Sequence, residues 1–162
     1  MSRNRVNVLA LTADWALGKP QDESLLARGS QTLRRAKVRI IEGEAANRLG
    51  QEEKWELLSP FLTQHGREGI AYATLQAGME YFIGETGYIA YTRVQHPLIA
   101  RRPKRIAFSD PICAPEDLPA LLSGFLARDE RAAFCVISEE CAEVLRSMGF
   151  KVNCIEIGRA HV

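Results

Sequence analysis

The sequence predicts a mixed α/β domain: one mixed sheet with helices on both sheet faces. Three segments, in a fixed order, carry that prediction. Glu80–Ile83 and Tyr88–Val94 flank the turn-rich Gly84–Gly87 and read as an antiparallel hairpin. Arg105–Ser109, the turn Asp110–Pro115 and the apolar stripe Leu118, Leu121, Leu122, Phe125 and Leu126 read as strand, turn and helix. Ala132–Ile137 is an unbroken apolar run, as expected of a strand covered on both faces, and a helix over Glu139–Met148 follows it. Strands alternating with helices after a hairpin imply a sheet flanked by helices.

Taken in order, Val6–Leu11 is strand-like, and Trp15 after it is most simply a packing residue. Gln21–Lys37 has helical spacing broken by Gly29. Val38–Ile41 is a short apolar run that suits a strand. Glu44–Gln64 carries Ala45, Ala46, Leu49, Trp55, Leu58 and Leu62 about one turn apart, so a helix interrupted at Pro60 is expected. Ile70–Leu75 reads as a strand opened by Gly69. Pro115 suits the first turn of the next helix, where Glu116 and Asp117 complement the helix dipole. Ser138 can cap the following helix, and Gly149 suits its C-terminal end before the strand Lys151–Ile155. Residues 1–50 are set apart as an unassigned N-terminal extension, and 51–155 as a single domain.

Length and charge bound the function. A chain of 162 residues has room for one domain plus that extension. A formal net charge of +1 gives no global pull toward nucleic acid or membrane, so such attraction must come from a local patch. No stretch approaches a membrane span and no long apolar signal core is present, which predicts a cytoplasmic protein. Cys113, Cys135, Cys141 and Cys154 form no CxxC pair and have no histidine at metal spacing. Buried reduced thiols are expected, with no metal site. His65 and His96 are isolated, with no Ser or Cys that can be placed beside either. Tyr72, Tyr81, Tyr88 and Tyr91 fall in strand regions and suit packing on the sheet, with lining of an acyl-chain channel the sharper alternative.

The turn Ser109–Pro115 argues against a nucleotide cofactor. A pyrophosphate cradle needs small residues whose backbone N–H groups wrap the anion at a helix N-terminus. Ser109–Pro115 contains no glycine, its two prolines remove donors, and Asp110, Glu116 and Asp117 place negative charge there. The Gly66–Gly69 pair precedes a strand-like run, which is the wrong context. No cofactor is expected.

The same residues carry a resemblance. Asp110, Pro111, Ile112, Pro115, Glu116 and Asp117 match a G-D-P-I-x-x-P-E-D pattern, with Ser109 in place of its glycine. Tyr91 and Arg93, with Thr92 between them, match a Y-R motif after a hairpin. Ser138, Glu139 and Glu140, with Gly149 and Phe150 at the other end, match an S-E-E helix closing in G-F. In this order, over about residues 60–155, the chain resembles the C-terminal soluble domain of phosphatidylglycerol lysyltransferases. That domain uses the acyl-CoA N-acyltransferase (GNAT)-like fold twice in tandem, and this chain resembles the first repeat. The resemblance implies transfer of an amino acid from aminoacyl-tRNA to an anionic phospholipid such as phosphatidylglycerol. It also implies a missing second repeat and a place peripheral to the inner membrane face. The family's decisive residues lie largely in that second repeat, so no catalytic residue is carried over.

Arg101, Arg102, Lys104 and Arg105 form a basic run with Arg93 near in sequence, and these five are the candidate lipid- or tRNA-binding residues. Anionic head groups and tRNA phosphates would both suit them, as would a plain solvated loop. Two other functions stay open: an acyl-CoA-dependent N-acyltransferase, and a non-catalytic binding module of the same fold. The last six residues, Ile157–Val162, reverse-translate as ATC GGA AGA GCA CAC GTC, the start of a common sequencing adapter. Native sequence is therefore expected to end near Ile155, with 156–162 a non-native tail in which Arg159 and His161 carry no function.

Overall fold

The computed structural model describes residues 7–11, 38–67, 69–94, 104–128 and 132–155, with only the backbone described for 7–11 and 154–155. The expected helix over Gln21–Lys37 lies outside these residues, as do Trp15, His96, Arg101, Arg102 and the tail 156–162. The strands are β1 Asn7–Leu11, β2 Arg39–Ile41, β3 Glu80–Ile83, β4 Gly87–Val94, β5 Lys104–Phe108, β6 Ile112–Cys113, β7 Ala132–Ile137 and β8 Lys151–Ile155. The helices are α1 Gly43–Arg48, α2 Gln51–His65, α3 Leu118–Leu126 and α4 Glu139–Ser147, with 3-10 turns at Gly69–Leu75 and Pro115–Asp117.

Among the described residues, eight strands join one mixed sheet in the order β2-β3-β4-β5-β7-β1-β8, with β6 paired to β4. Among the described strand pairs β5 and β7 run parallel and the others antiparallel. β1 lies inside the sheet, between β7 and β8, and β2 forms the opposite edge. The stretch set apart as an extension thus supplies two strands of the same sheet. Strand pairing is a non-local property that the run Val6–Leu11 does not reveal by itself.

Alternation on the central strands divides the core. Tyr81, Ile83 and Tyr88 pack with Leu58 and Leu62 of α2 on one face. Phe82, Ile89 and Tyr91 pack with Phe125 of α3 and Leu145 of α4 on the other. Phe125 is the hub of that second face, with ring centroids 5.8 Å from Phe82, 5.1 Å from Tyr91 and 6.0 Å from Phe134. On the first face Tyr81 Oη donates to Thr74 O at 2.8 Å. The Thr74 hydroxyl donates to Ala71 O at 2.6 Å, so at 2.8 Å it accepts from Tyr88 Oη.

Two local expectations are corrected. α2 runs through Pro60, and the break falls at Leu49–Gly50 instead. Leu58 and Leu62 are buried on either side of the proline and hold the turn together, while exposed Pro60 faces water. Glu53 returns its carboxylate to Gly50 N at 2.9 Å, starting the new helix. Ile70–Leu75 is not a strand but part of a 3-10 helix. Its buried residues, Ala71 and Thr74, stand three apart, which is the 3-10 repeat.

The turn after β5 also departs from a simple strand-to-helix link. β4 pairs with β5 over Tyr91–Val94 and with β6 at Gly87 and Tyr88. Between β5 and β6 Ser109 adopts φ 75°, a kink at which the chain skips Ile89 and Ala90 of β4 before pairing with it again. Gly87 is required there, because a Cβ would lie 2.3 Å from Ile112 O. No described helix is long and apolar enough to cross a membrane.

Candidate functional site

Charged residues inside apolar strands need partners, and here they find each other. Register places Tyr91 opposite Glu80, Arg93 opposite Arg105, and Ile41 opposite Tyr81, which brings Glu42 beside Glu80 at the end of β2. Glu80, Tyr91, Arg93 and Arg105 share the face that packs α3, because they alternate with residues facing the other way. The result is an ionic row across four strands at one end of the sheet, with Glu42 and Glu80 on the β2–β3 side and Arg93 and Arg105 on the β4–β5 side.

Glu80 is the best satisfied member. Its Oε1 accepts from Gly43 N at 2.7 Å and from Arg93 Nη2 at 2.8 Å, and its Oε2 accepts from Arg93 Nε at 2.8 Å. This bidentate bond raises the Arg93 pKa above its ordinary value. Gly43, at φ 58°, is the left-handed residue through which β2 turns into α1, so Glu80 also fixes that corner.

The second pair is looser. Tyr91 Oη donates to Glu42 Oε1 at 2.5 Å, and Arg105 Nη2 reaches the same oxygen at 3.3 Å. Burial, then the bond to Glu42, raises the Tyr91 pKa, so its hydroxyl stays protonated and donates. Arg105 is 9% exposed, and its guanidinium carbon lies 5.4 Å from the Tyr91 ring centroid and 5.5 Å from that of Phe125. Its Nε is buried without a hydrogen-bond partner.

Of the five cations singled out in the sequence, Arg93 and Arg105 meet in this row. Lys104 opens β5, half-buried and opposite Val94. Arg101 and Arg102 lie outside the described residues. Sequence reasoning missed Glu42 and Glu80 as partners. The available signal was Glu80 at the head of the apolar strand EYFI, since a carboxylate there must be paired.

The other place to look for a ligand is the crevice at the carboxyl ends of the parallel strands β5 and β7. Here it is stitched shut. Ser109 N donates to Cys135 O at 3.0 Å, and Asp110 Oδ1 accepts from Ser138 N at 2.8 Å. Ser138 Oγ in turn caps α4 by accepting from Cys141 N at 3.2 Å. At the start of α3, Asp117 N and Leu118 N are already spent on Ala114 O and Pro115 O, with exposed Glu116 and half-buried Asp117 beside them. An anion would meet carboxylates there and few free donors.

Cys113 and Cys141 are poorly placed to ionise. Burial, followed by nearby carboxylates, pushes the Cys113 pKa up to about 12 and that of Cys141 higher. Cys113 and Cys141 are buried and Cys135 half-buried, and all three are free. The Cys154 side chain lies outside the described residues. Among the described residues no three His, Cys, Asp or Glu side chains group as metal ligands would.

Fold and row together define a mixed α/β domain with helices on both faces of a mixed sheet and a partly buried ionic row at one end. Comparison with protein-family models, with curated proteins and with solved structures found no match to this chain.

Proposed function

We propose that this chain is the first acetyltransferase-like repeat of a tRNA-dependent aminoacyl transferase that acts on a phospholipid such as phosphatidylglycerol. One observation carries the choice over an acyl-CoA enzyme. The crevice between β5 and β7 is closed by the Asp110–Ser138 bond, and the turn into α3 is stiffened by Pro111 and Pro115 and lined with carboxylates. That arrangement disfavours a nucleotide pyrophosphate. The reading requires a mixed α/β domain, and a mixed sheet with helices on both faces supplies that class.

The reaction moves an aminoacyl group from the ribose ester of tRNA to a lipid hydroxyl. The hydroxyl oxygen attacks the ester carbonyl and loses its proton, and the ribose oxygen leaves and takes one up. One ester replaces another without redox change. Rate then depends on orienting two bound reactants and stabilising the oxyanion. This repeat would supply a wall of the substrate tunnel and a basic docking face built on Arg101, Arg102 and Lys104. A second repeat would complete the site, on the cytoplasmic side of the membrane.

Calorimetry with acetyl-CoA tests the choice: no heat of binding is expected, and micromolar affinity would overturn it. Co-sedimentation with phosphatidylglycerol vesicles and gel shifts with tRNA test the docking face. Binding is expected to weaken when Arg101, Arg102 and Lys104 are made neutral. Arg105 is left intact in that comparison because it is part of the core.

A further inference from the structure

Arg93 and Arg105 face each other across β4 and β5, yet their guanidinium groups are used differently. Arg93 turns its Nε–Nη2 edge side-on to Glu80 and fills both positions at 2.8 Å. Arg105 has the same edge with Nε unpartnered and Nη2 on a 3.3 Å bond to Glu42. A buried guanidinium donor without a partner is unusual in a native fold and asks for an acceptor.

The surroundings suit a particular kind of acceptor. The rings of Tyr91 and Phe125 hold the guanidinium in place at 5.4 and 5.5 Å. A planar fork with two parallel N–H groups matches two oxygens of one oxyanion. Glu42 does not depend on Arg105, because Tyr91 Oη holds the same oxygen at 2.5 Å. Arg105 can therefore offer its edge elsewhere without stranding a carboxylate. The row reaches solvent through the side chains of Glu42, 25% exposed, and Arg93, 36% exposed.

We infer that the Nε–Nη2 edge of Arg105 is a seat for a single phosphate group, with Glu42 as the intramolecular competitor that it displaces. The choice of phosphate over carboxylate rests on the proposed phospholipid substrate; the fork itself does not. Phosphate would straddle the edge as Glu80 straddles Arg93, and Glu42 would remain on Tyr91.

The test titrates the full chain with dimethyl phosphate, and separately with inorganic phosphate, at constant ionic strength. The Nε–H signals of its arginines are followed by proton–nitrogen correlation. The Arg105 signal, identified by its loss in Arg105→Lys, is expected to shift saturably while that of Arg93 stays in place. Arg105→Lys keeps the charge but loses the fork, and binding is expected to weaken about tenfold or more. Glu42→Gln still accepts from Tyr91 but competes less, so binding should tighten several-fold, a gain that damaged folding cannot produce. An Arg105 signal that does not move, or a Glu42→Gln chain that binds no tighter, overturns the inference. Short-chain phosphatidylglycerol separates the sources of phosphate. If dimethyl phosphate shifts Arg105 and the lipid does not, the seat stands and the lipid reading fails. If vesicles bind while Arg105 stays silent, the lipid reading stands and the seat fails.

Discussion

Replacing Glu80 by glutamine removes a charge that three donors share. The carboxylate, with its side chain 10% exposed, accepts from Gly43 N at 2.7 Å and twice from Arg93 at 2.8 Å. A glutamine keeps one acceptor oxygen and turns an amide N–H2 toward a group that has only donors. Breaking a buried pair by removing one partner costs about 3–5 kcal/mol. The Arg93 side chain is 36% exposed and regains water, which lowers the expected loss to about 2 kcal/mol. For a slope of about 2 kcal/mol per molar urea, the unfolding midpoint should fall by about 1 M. Equilibrium urea unfolding followed by circular dichroism measures this directly. In a cycle with Arg93→Gln, a coupling of about 1–2 kcal/mol is expected. A loss below about 0.5 kcal/mol, or an equal loss with Arg93 already replaced, refutes the view that this pair fixes the corner at Gly43.

Lys54 is 4% exposed, with Nζ on Gln76 O at 2.9 Å and 6.0 Å from the Tyr81 ring centroid, and burial lowers its pKa from 10.5. The unfolded chain therefore binds more protons between that lowered value and 10.5, so stability rises with pH across the window. Lys54→Met should lose this rise. At neutral pH it should be unchanged or about 1 kcal/mol more stable, because relief of the buried ammonium offsets the lost hydrogen bond. Urea unfolding of both proteins at neutral pH and near pH 10 decides it; a constant difference between them would defeat the argument. Phe125→Ala empties the hub of three ring contacts and should cost about 3–5 kcal/mol by the same assay, a value below about 2 showing that the helices collapse into the space. Ser138→Ala removes the cap on Cys141 N and should cost about 1 kcal/mol; no change would mean that Asp110, through Ser138 N, holds this corner alone.

The closure of the β5–β7 crevice was partly legible beforehand. The prolines and carboxylates of Ser109–Pro115 already spoke against a phosphate cradle, because they act through the local backbone and local charge. The bond from Asp110 to Ser138 was not legible, since it joins residues 28 apart in sequence. The ionic row was half visible. Arg93 and Arg105 stood out as cations, but the carboxylates Glu80 and Glu42 that they meet did not. Strand alternation sends Arg105 into the core and sets Lys104 facing the other way.

By itself the sequence determined where most strands and helices lie, from the hairpin through Lys151–Ile155, and the mixed α/β class they build. Those features follow from side-chain periodicity and turn chemistry over a few residues. Tertiary structure alone decided that Asn7–Leu11 sits between β7 and β8, that α2 survives Pro60, and that Ile70–Leu75 coils rather than extends. It also decided which carboxylate each arginine takes. Such outcomes depend on contacts between distant segments, where burial on a shared face outweighs the propensity of any single stretch.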